Sequence, residues 1–247
     1  VRSKSGRVDK ARARLCKIAF ESLYGPFAWA YDWVSRTFFL GQWQLWQRTA
    51  IPYLRGERVL EVGMGTGDMQ LSLKRAGFQA WGVDLSPQML RQARAKSHRL
   101  GVPFNMCRAR AQALPFPTSS FDSIVSTFPS EYVVDPLTLS ELARVLRPSG
   151  RLVIVPGGWL APKDASGKAF EGVARVVYGY KGEKDTADVL RQIEQGRGSA
   201  AWIAAFKRGM AQAGFGVSVH TASNERGACL IVVAEKGDQA SVALHPS

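Results

Sequence analysis

From residue 58 to about residue 156 the chain repeats one arrangement of apolar and polar positions. Short apolar runs at 58–62, 80–84, 104–108, 123–128 and 151–155 have the length and composition of strands buried in a parallel sheet. Between them lie segments with apolar positions three and four apart, which predict helices over about 67–76, 87–100 and 137–146. Ser86 followed by Pro87 opens the second helix as N-cap and first helical residue, and Gly101 closes it. The third ends ahead of Arg147–Pro148, because a residue before proline is pushed out of the helical region. Strand and helix in alternation predict an α/β domain built on a doubly wound, mostly parallel sheet with helices on both faces.

On either side the rhythm changes. Residues 8–23 read as a basic helix with Leu15, Ile18, Ala19 and Leu23 on one side. Residues 27–53 are crowded with aromatics, with Trp29/Trp33 and Trp43/Trp46 at helical spacing and Gly41 as a break. Residues 1–54 are therefore expected to form a basic tail and an N-terminal helical lid, and 55–247 the core. After Pro156-Gly157-Gly158 the alternation lapses, and residues 163–199 are rich in Gly and charge. They read either as a lid-like insertion over the active site or as a surface excursion. A helix over 200–213 and strands over 217–221 and 228–234 complete the core.

The candidate chemistry starts where the first strand runs into VLEVGMGTGD. Gly63, Gly65 and Gly67 fall at a strand-to-helix turn, where glycine permits positive φ and close approach of a ligand. The helix that follows offers free N–H groups. A dinucleotide fingerprint needs a sixth-position glycine counted from Gly63, but Asp68 stands there, which disfavours a pyrophosphate cofactor. Asp84 ends the second strand in WGVDLS, beside the switch crevice of such a sheet. A carboxylate there can accept both ribose hydroxyls of a nucleoside.

The stretches VLEVGMGTGD, GVDLSPQML, ALPFPTSSFDSIV and ELARVLRPSGRLVIV, in this order over about residues 57–156, resemble the class I S-adenosylmethionine-dependent methyltransferases. Upstream, FAWAYDWVSRTFFLGQWQLWQR resembles the ubiquinone/menaquinone biosynthesis C-methyltransferases, and bacterial phospholipid N-methyltransferases look similar. The resemblance implies a Rossmann-like, seven-stranded sheet and S-adenosylmethionine as cofactor, with S-adenosylhomocysteine as product. It implies that Gly63, Gly65 and Gly67 pack against the methionine part, that Glu61 orders the loop and helps hold the amino group, and that Asp84 takes the ribose hydroxyls. Leu85 and Met89 would lie on the adenine face, Ala111 and Gln112 at its edge, Thr127 and Phe128 beside the reacting methyl, and Tyr31 over the carboxylate end. For Leu85 and Met89, plain core packing is an equal reading.

Two departures stand out. Arg110 occupies the place where the resembling family carries an adenine-accepting Asp, and arginine has no acceptor. Gln112 is the expected substitute. Ser149 replaces a usual glycine, a change expected to be neutral. For a general base the candidates are Glu131 and Tyr132, after the fourth strand. Helix capping and packing are the competing roles for them.

Composition narrows the function classes. The chain has 247 residues, 46% hydrophobic and 21% charged, as in a globular domain with its own core. No uncharged apolar run of about 18 residues occurs, and Arg12, Arg14 and Lys17 interrupt any signal-peptide core. A cytoplasmic location is expected. Cys16, Cys107 and Cys229 are too scattered for a disulfide framework or a metal site, so no metal is expected. Net charge is +13, and residues 1–20 hold seven Lys/Arg against Asp9 alone. That tail beside aromatics fits a helix in peripheral contact with an anionic membrane, an RNA-binding arm, or a solvated tail. The aromatic segment favours a small lipophilic acceptor, such as a quinone or phenol ring or a lipid headgroup. Two rival readings are an RNA methyltransferase, prompted by Arg91, Arg94, Lys96, Arg99, Arg108 and Arg110, and a binding protein that has lost catalysis, prompted by Arg110. Oligomeric state is not legible.

Overall fold

The structure is a computed structural model that describes residues 42–160, 206, 208–224 and 227–237. The basic tail, the aromatic segment up to residue 41 with Tyr31, and the 163–199 stretch lie outside the described residues.

The chain runs α1 (Gln42–Arg48), β1 (Arg58–Val62), α2 (Asp68–Arg75), β2 (Gln79–Asp84), α3 (Pro87–Leu100), β3 (Asn105–Arg108) and β4 (Phe121–Thr127). Then come α4 (Pro136–Val145), β5 (Leu146–Leu160), β6 (Phe215–Asn224) and β7 (Gly227–Lys236). The strands form one seven-stranded sheet in the order β3-β2-β1-β4-β5-β7-β6. β1 to β5 are parallel, and β7 is antiparallel to both its neighbours. This is the doubly wound, Rossmann-like sheet that the sequence predicts, with the order reversing at β1 and β4.

Alternate residues of each strand feed two cores. Leu60, Val62, Ile124, Leu152 and Ile154 pack with Leu139 and Leu142 of α4 on one face. Val59, Val125, Val153 and Val155 pack with Met69 and Leu73 of α2 and with Trp46 of α1 on the other. The central strands are buried on both faces, which is why they read as continuous apolar runs. α1 is thus partly a core helix. A Cβ at Gly158 would stand 2.7 Å from the Trp46 ring, so the indole seats on the bare backbone of β5.

Helix ends follow the sequence signals. Ser86 Oγ accepts from Met89 N–H at 3.3 Å, and Gly101 closes α3 at φ +62. At α4, Asp135 Oδ1 accepts from Leu137 N–H at 3.1 Å, and Lys236 Nζ donates to the Ala143 and Leu146 carbonyls at 2.7 and 2.8 Å. Two expectations are corrected. Ser149 has φ +58, a left-handed position that favours glycine, so the replacement is a strained one and not neutral. Lys96 is 5% exposed and sits beneath the glycine loop, so it is no part of a basic surface stripe.

Candidate active site

The turn between β1 and α2 winds through Gly63, Gly65 and Gly67, all at positive φ (+76, +52 and +85). The β2 tip ties this loop down: Gly63 and Met64 N–H both donate to the Val83 carbonyl. Asp84 completes the tie, its Oδ2 accepting from Gly65 N–H and its Oδ1 from Ser86 N–H, each at 2.8 Å. A carboxylate accepts about four hydrogen bonds, so both oxygens keep a lone pair for further donors. Burial raises the Asp84 pKa, against the lowering pull of the N–H groups of Ser86, Gly65 and Leu85.

Behind the loop lies a buried polar layer. Glu61 is 1% exposed, and its Oε2 accepts from Gln70 Nε2 at 2.8 Å while Oε1 is buried without a partner. Burial drives its pKa well above the usual carboxylate range; Gln70 opposes this, and Asp84 and Asp68 add to it. Lys96 Nζ reaches Asp68 Oδ2 and Thr66 Oγ1, both at 3.1 Å, and so pins α3 to the start of α2.

In front of the loop is a cavity of about 690 Å³. Of the residues singled out from the sequence, Gly63, Gly65, Asp84, Leu85, Ala111, Gln112, Thr127 and Tyr132 line it, as do Phe128 and Arg110. Glu61, Gly67 and Met89 are not among its lining residues. Gly67 instead meets the core, where a Cβ would stand 2.7 Å from the Phe104 ring. Met89 is fully buried. Tyr31 lies outside the described residues, as does the side chain of Glu131. Tyr132 Oη donates to the Val62 carbonyl at 3.1 Å and meets Ser126 Oγ at 2.9 Å. The phenol covers Gly63 and is tied to the backbone of β1.

Arg110, which stands where the resembling family carries an acidic residue, is exposed. Gln112 Nε2 donates to Asp135 Oδ2 at 2.7 Å. A carboxylate only accepts, so it fixes this amide, and the Gln112 oxygen remains the acceptor. Sequence reasoning missed Asp135 and Gln47 and placed Lys96 in a surface set instead of beneath the loop. Gln47 lines the cavity next to Trp43 and donates Nε2 to Thr127 Oγ1 at 3.1 Å. The signal for two of them was present. Lys96 continues the buried stripe Met89, Ala93, and Gln47 continues Trp43, Trp46 and Ala50. Among the described residues no group of three or more His, Cys, Asp or Glu is placed to hold a metal ion.

Known proteins share this frame. Residues 60–154 match the family model described as a methyltransferase domain. The demethylmenaquinone methyltransferase of Thermus thermophilus is 35% identical over 139 residues, covering 54% of this chain and 63% of that protein. That of Deinococcus radiodurans is 34% identical over 166 residues, covering 65% of this chain and 67% of its own. The match to the ubiquinone/menaquinone biosynthesis C-methyltransferase of Geobacter sulfurreducens spans only 56% of that relative, so the matched part falls short of two-thirds of some relatives. Among solved structures, an S-adenosylmethionine-dependent methyltransferase of Methanococcus maripaludis superposes with a TM-score of 0.58 at 16% identity, covering 85% of this chain and 91% of that one. Geranyl diphosphate methyltransferase in complex with its cofactor superposes with a TM-score of 0.54 at 16% identity, over 78% and 85% of the two chains. At such identities the likeness is one of fold. Four ordered motifs, the sheet order and these relatives agree: the chain belongs to the class I S-adenosylmethionine-dependent methyltransferases.

Proposed function

We propose that this chain transfers a methyl group from S-adenosylmethionine to a small lipophilic acceptor, a quinone- or phenol-like ring or a lipid headgroup. The observation that carries the reading is the crevice at the β1/β4 reversal, with Asp84 bound to Gly65 on one side and Trp43 stacked on Phe128 on the other.

The residues present fit the cofactor. A Cβ at Gly65 would meet no protein atom within 4 Å, although the residue lines the cavity, so the glycine keeps ligand space free. Asp84 has lone pairs left for the ribose hydroxyls. Glu61 Oε1 is a buried acceptor without a protein partner, suited to an ammonium group. The Gln112 oxygen is the acceptor available where Arg110 cannot serve. When bound, S-adenosylmethionine would be held by Asp84, the Gly65 turn and the Gln112 oxygen and would supply an already activated methyl group for in-line displacement. The chain's own share is positioning and exclusion of water. Tyr132, tied to Val62 and Ser126, acts as a positioning group that holds the Gly63 turn.

The relatives named above bear names of quinone methylation, which supports a ring acceptor. The lid-side aromatics Trp43 and Phe128 support the same class. The nucleic-acid reading loses Lys96 from its basic set. Among the described residues no helix is long and apolar enough to cross a membrane.

The test is label tracing. The protein is incubated with methyl-labelled S-adenosylmethionine and bacterial lysate, and the products are partitioned. Label is expected in the organic phase and absent with Asp84→Ala. Label in RNA or protein overturns the acceptor class, and unchanged transfer by Asp84→Ala overturns the site assignment.

A further inference from the structure

The cavity opens at a rim that hydrogen bonds tie together from the tip of β2 to the start of α4. Arg108, at the end of β3, donates Nε to the Leu85 carbonyl at 3.0 Å. Two residues on, Arg110 lines the opening itself. Gln112 Nε2 then donates to Asp135 at 2.7 Å, and Asp135 accepts from Leu137 N–H at 3.1 Å. Leu85, Arg110 and Gln112 all line the cavity, so the rim and the opening are one surface.

This surface is both greasy and basic. Of the six large apolar side chains that the described residues expose, three stand here: Leu85 at 52%, Val134 at 40% and Leu137 at 68%. A single exposed leucine is ordinary, but three around the opening of one cavity call for a partner. The charge is as one-sided. No Asp or Glu occurs from residue 85 to residue 121, whereas Arg91, Arg94, Arg99, Arg108 and Arg110 in that span are all exposed. Among the described residues no carboxylate pairs with Arg108 or Arg110. Asp135, the acid within the rim, has one oxygen on the Gln112 amide and the other at the N-terminus of α4.

We propose that this rim docks on an anionic lipid bilayer, with Arg108 and Arg110 among the headgroup phosphates and Leu85, Val134 and Leu137 in the interfacial layer. The inference rests on the lipophilic-acceptor reading and adds where the acceptor comes from and by which side it enters. Unpaired arginines complement anionic headgroups, and each is worth about fivefold in partition at such a surface. Aliphatic side chains among them gain by entering the layer. A nucleic acid would call for rings that stack on bases, and none of the six exposed apolar side chains is aromatic.

The experiment is vesicle flotation of the full chain without cofactor, in about 0.1 M sodium chloride, where the screening length is about 10 Å. The vesicles hold phosphatidylglycerol and phosphatidylcholine at roughly 3:7, or phosphatidylcholine alone. The chain is expected to partition at least about tenfold more strongly onto the anionic vesicles. Arg108→Glu and Leu137→Asp are each expected to weaken that partition at least about fivefold. Arg75→Glu and Leu100→Asp make the same changes at the C-terminal ends of α2 and α3, at the opposite edge of the sheet. They are expected to weaken it less than about twofold. Thermal melts report folding separately, and Arg108→Gln and Leu137→Ser replace any rim variant that melts early. Equal partition onto the two kinds of vesicle overturns the inference. So does an equal loss in rim and control variants, which places the contact elsewhere on the chain, as in residues 1–20. Rim variants that lose binding to poly(U) but keep their hold on the vesicles assign the surface to nucleic acid and overturn it as well. Flotation needs neither cofactor nor turnover, so it fails or succeeds independently of the label-tracing test of the acceptor class.

Discussion

Glu61 is where folding and binding oppose each other at a single residue. A carboxyl whose pKa is raised on folding holds its proton more tightly in the folded chain than in the unfolded one. Its contribution is therefore favourable at low pH and is lost as pH rises from the ordinary carboxylate range through the raised value. Glu61→Gln removes that loss and keeps the size of the side chain. In urea unfolding without ligand, the variant is expected to be more stable than the unmutated chain at pH 8, by about 1 kcal/mol or more, with the gap closing toward pH 4. On the proposed reading, in which Glu61 meets the ammonium of S-adenosylmethionine, the affinity of the variant for that cofactor is expected to fall at least about tenfold, because an amide cannot supply a carboxylate charge. A variant that binds the cofactor normally removes Glu61 from the site. The glycines, Asp84 and Glu61 were legible because their spacing along two strand tips is local. Gln47–Thr127 and Lys96–Thr66 join residues 80 and 30 positions apart, and no local pattern encodes such a partner.

At the scale of elements, α3 and α2 are joined by a buried ion pair and α4 runs into β5 through a strained corner. Lys96→Met keeps the stem of the lysine but leaves Asp68 without its cation, and Asp68 is itself mostly buried. The expected cost is about 2–3 kcal/mol, or a Tm lower by roughly 5–10 °C, and a weaker hold on the cofactor because Thr66 and Asp68 line the cavity. Adding Asp68→Asn is expected to recover much of the stability, since the uncompensated charge is then removed; additive losses in thermal melts contradict the pairing. Ser149→Gly tests the corner. A serine at φ +58 carries left-handed strain that glycine lacks, so the variant is expected to gain up to about 1 kcal/mol. A lower Tm contradicts that account. The resemblance marked position 149 as one where glycine is usual, but only the backbone angle shows why. β6 is longer than its apolar pattern suggests for a related reason. It lies at the sheet edge with most of its ten residues outside the core, so its outer half carries no hydrophobic signature.

For the whole molecule, the α/β alternation was legible because parallel strands buried on both faces leave continuous apolar runs. The insertion of β7 between β5 and β6 was not, since strand order depends on contacts between distant segments. Net charge acts at this scale as well. Of the net +13, residues 1–20 carry +6, and the +7 on the rest of the chain makes the fold repel itself. At 10 mM salt the screening length is about 30 Å, comparable to the size of such a domain, and at 0.1 M it is about 10 Å. Long-range repulsion is therefore removed first. Two ion pairs, Arg151–Glu235 at 2.6 Å between β5 and β7 and Lys96–Asp68 at 3.1 Å between α3 and α2, act at contact distance, and the second is shielded from solvent. The Tm is therefore expected to rise by a few degrees between 10 and 200 mM sodium chloride, on the order of 1 kcal/mol of relieved repulsion. A Tm that falls over that range shows that the contact pairs, and not the net charge, govern the electrostatic stability of this fold.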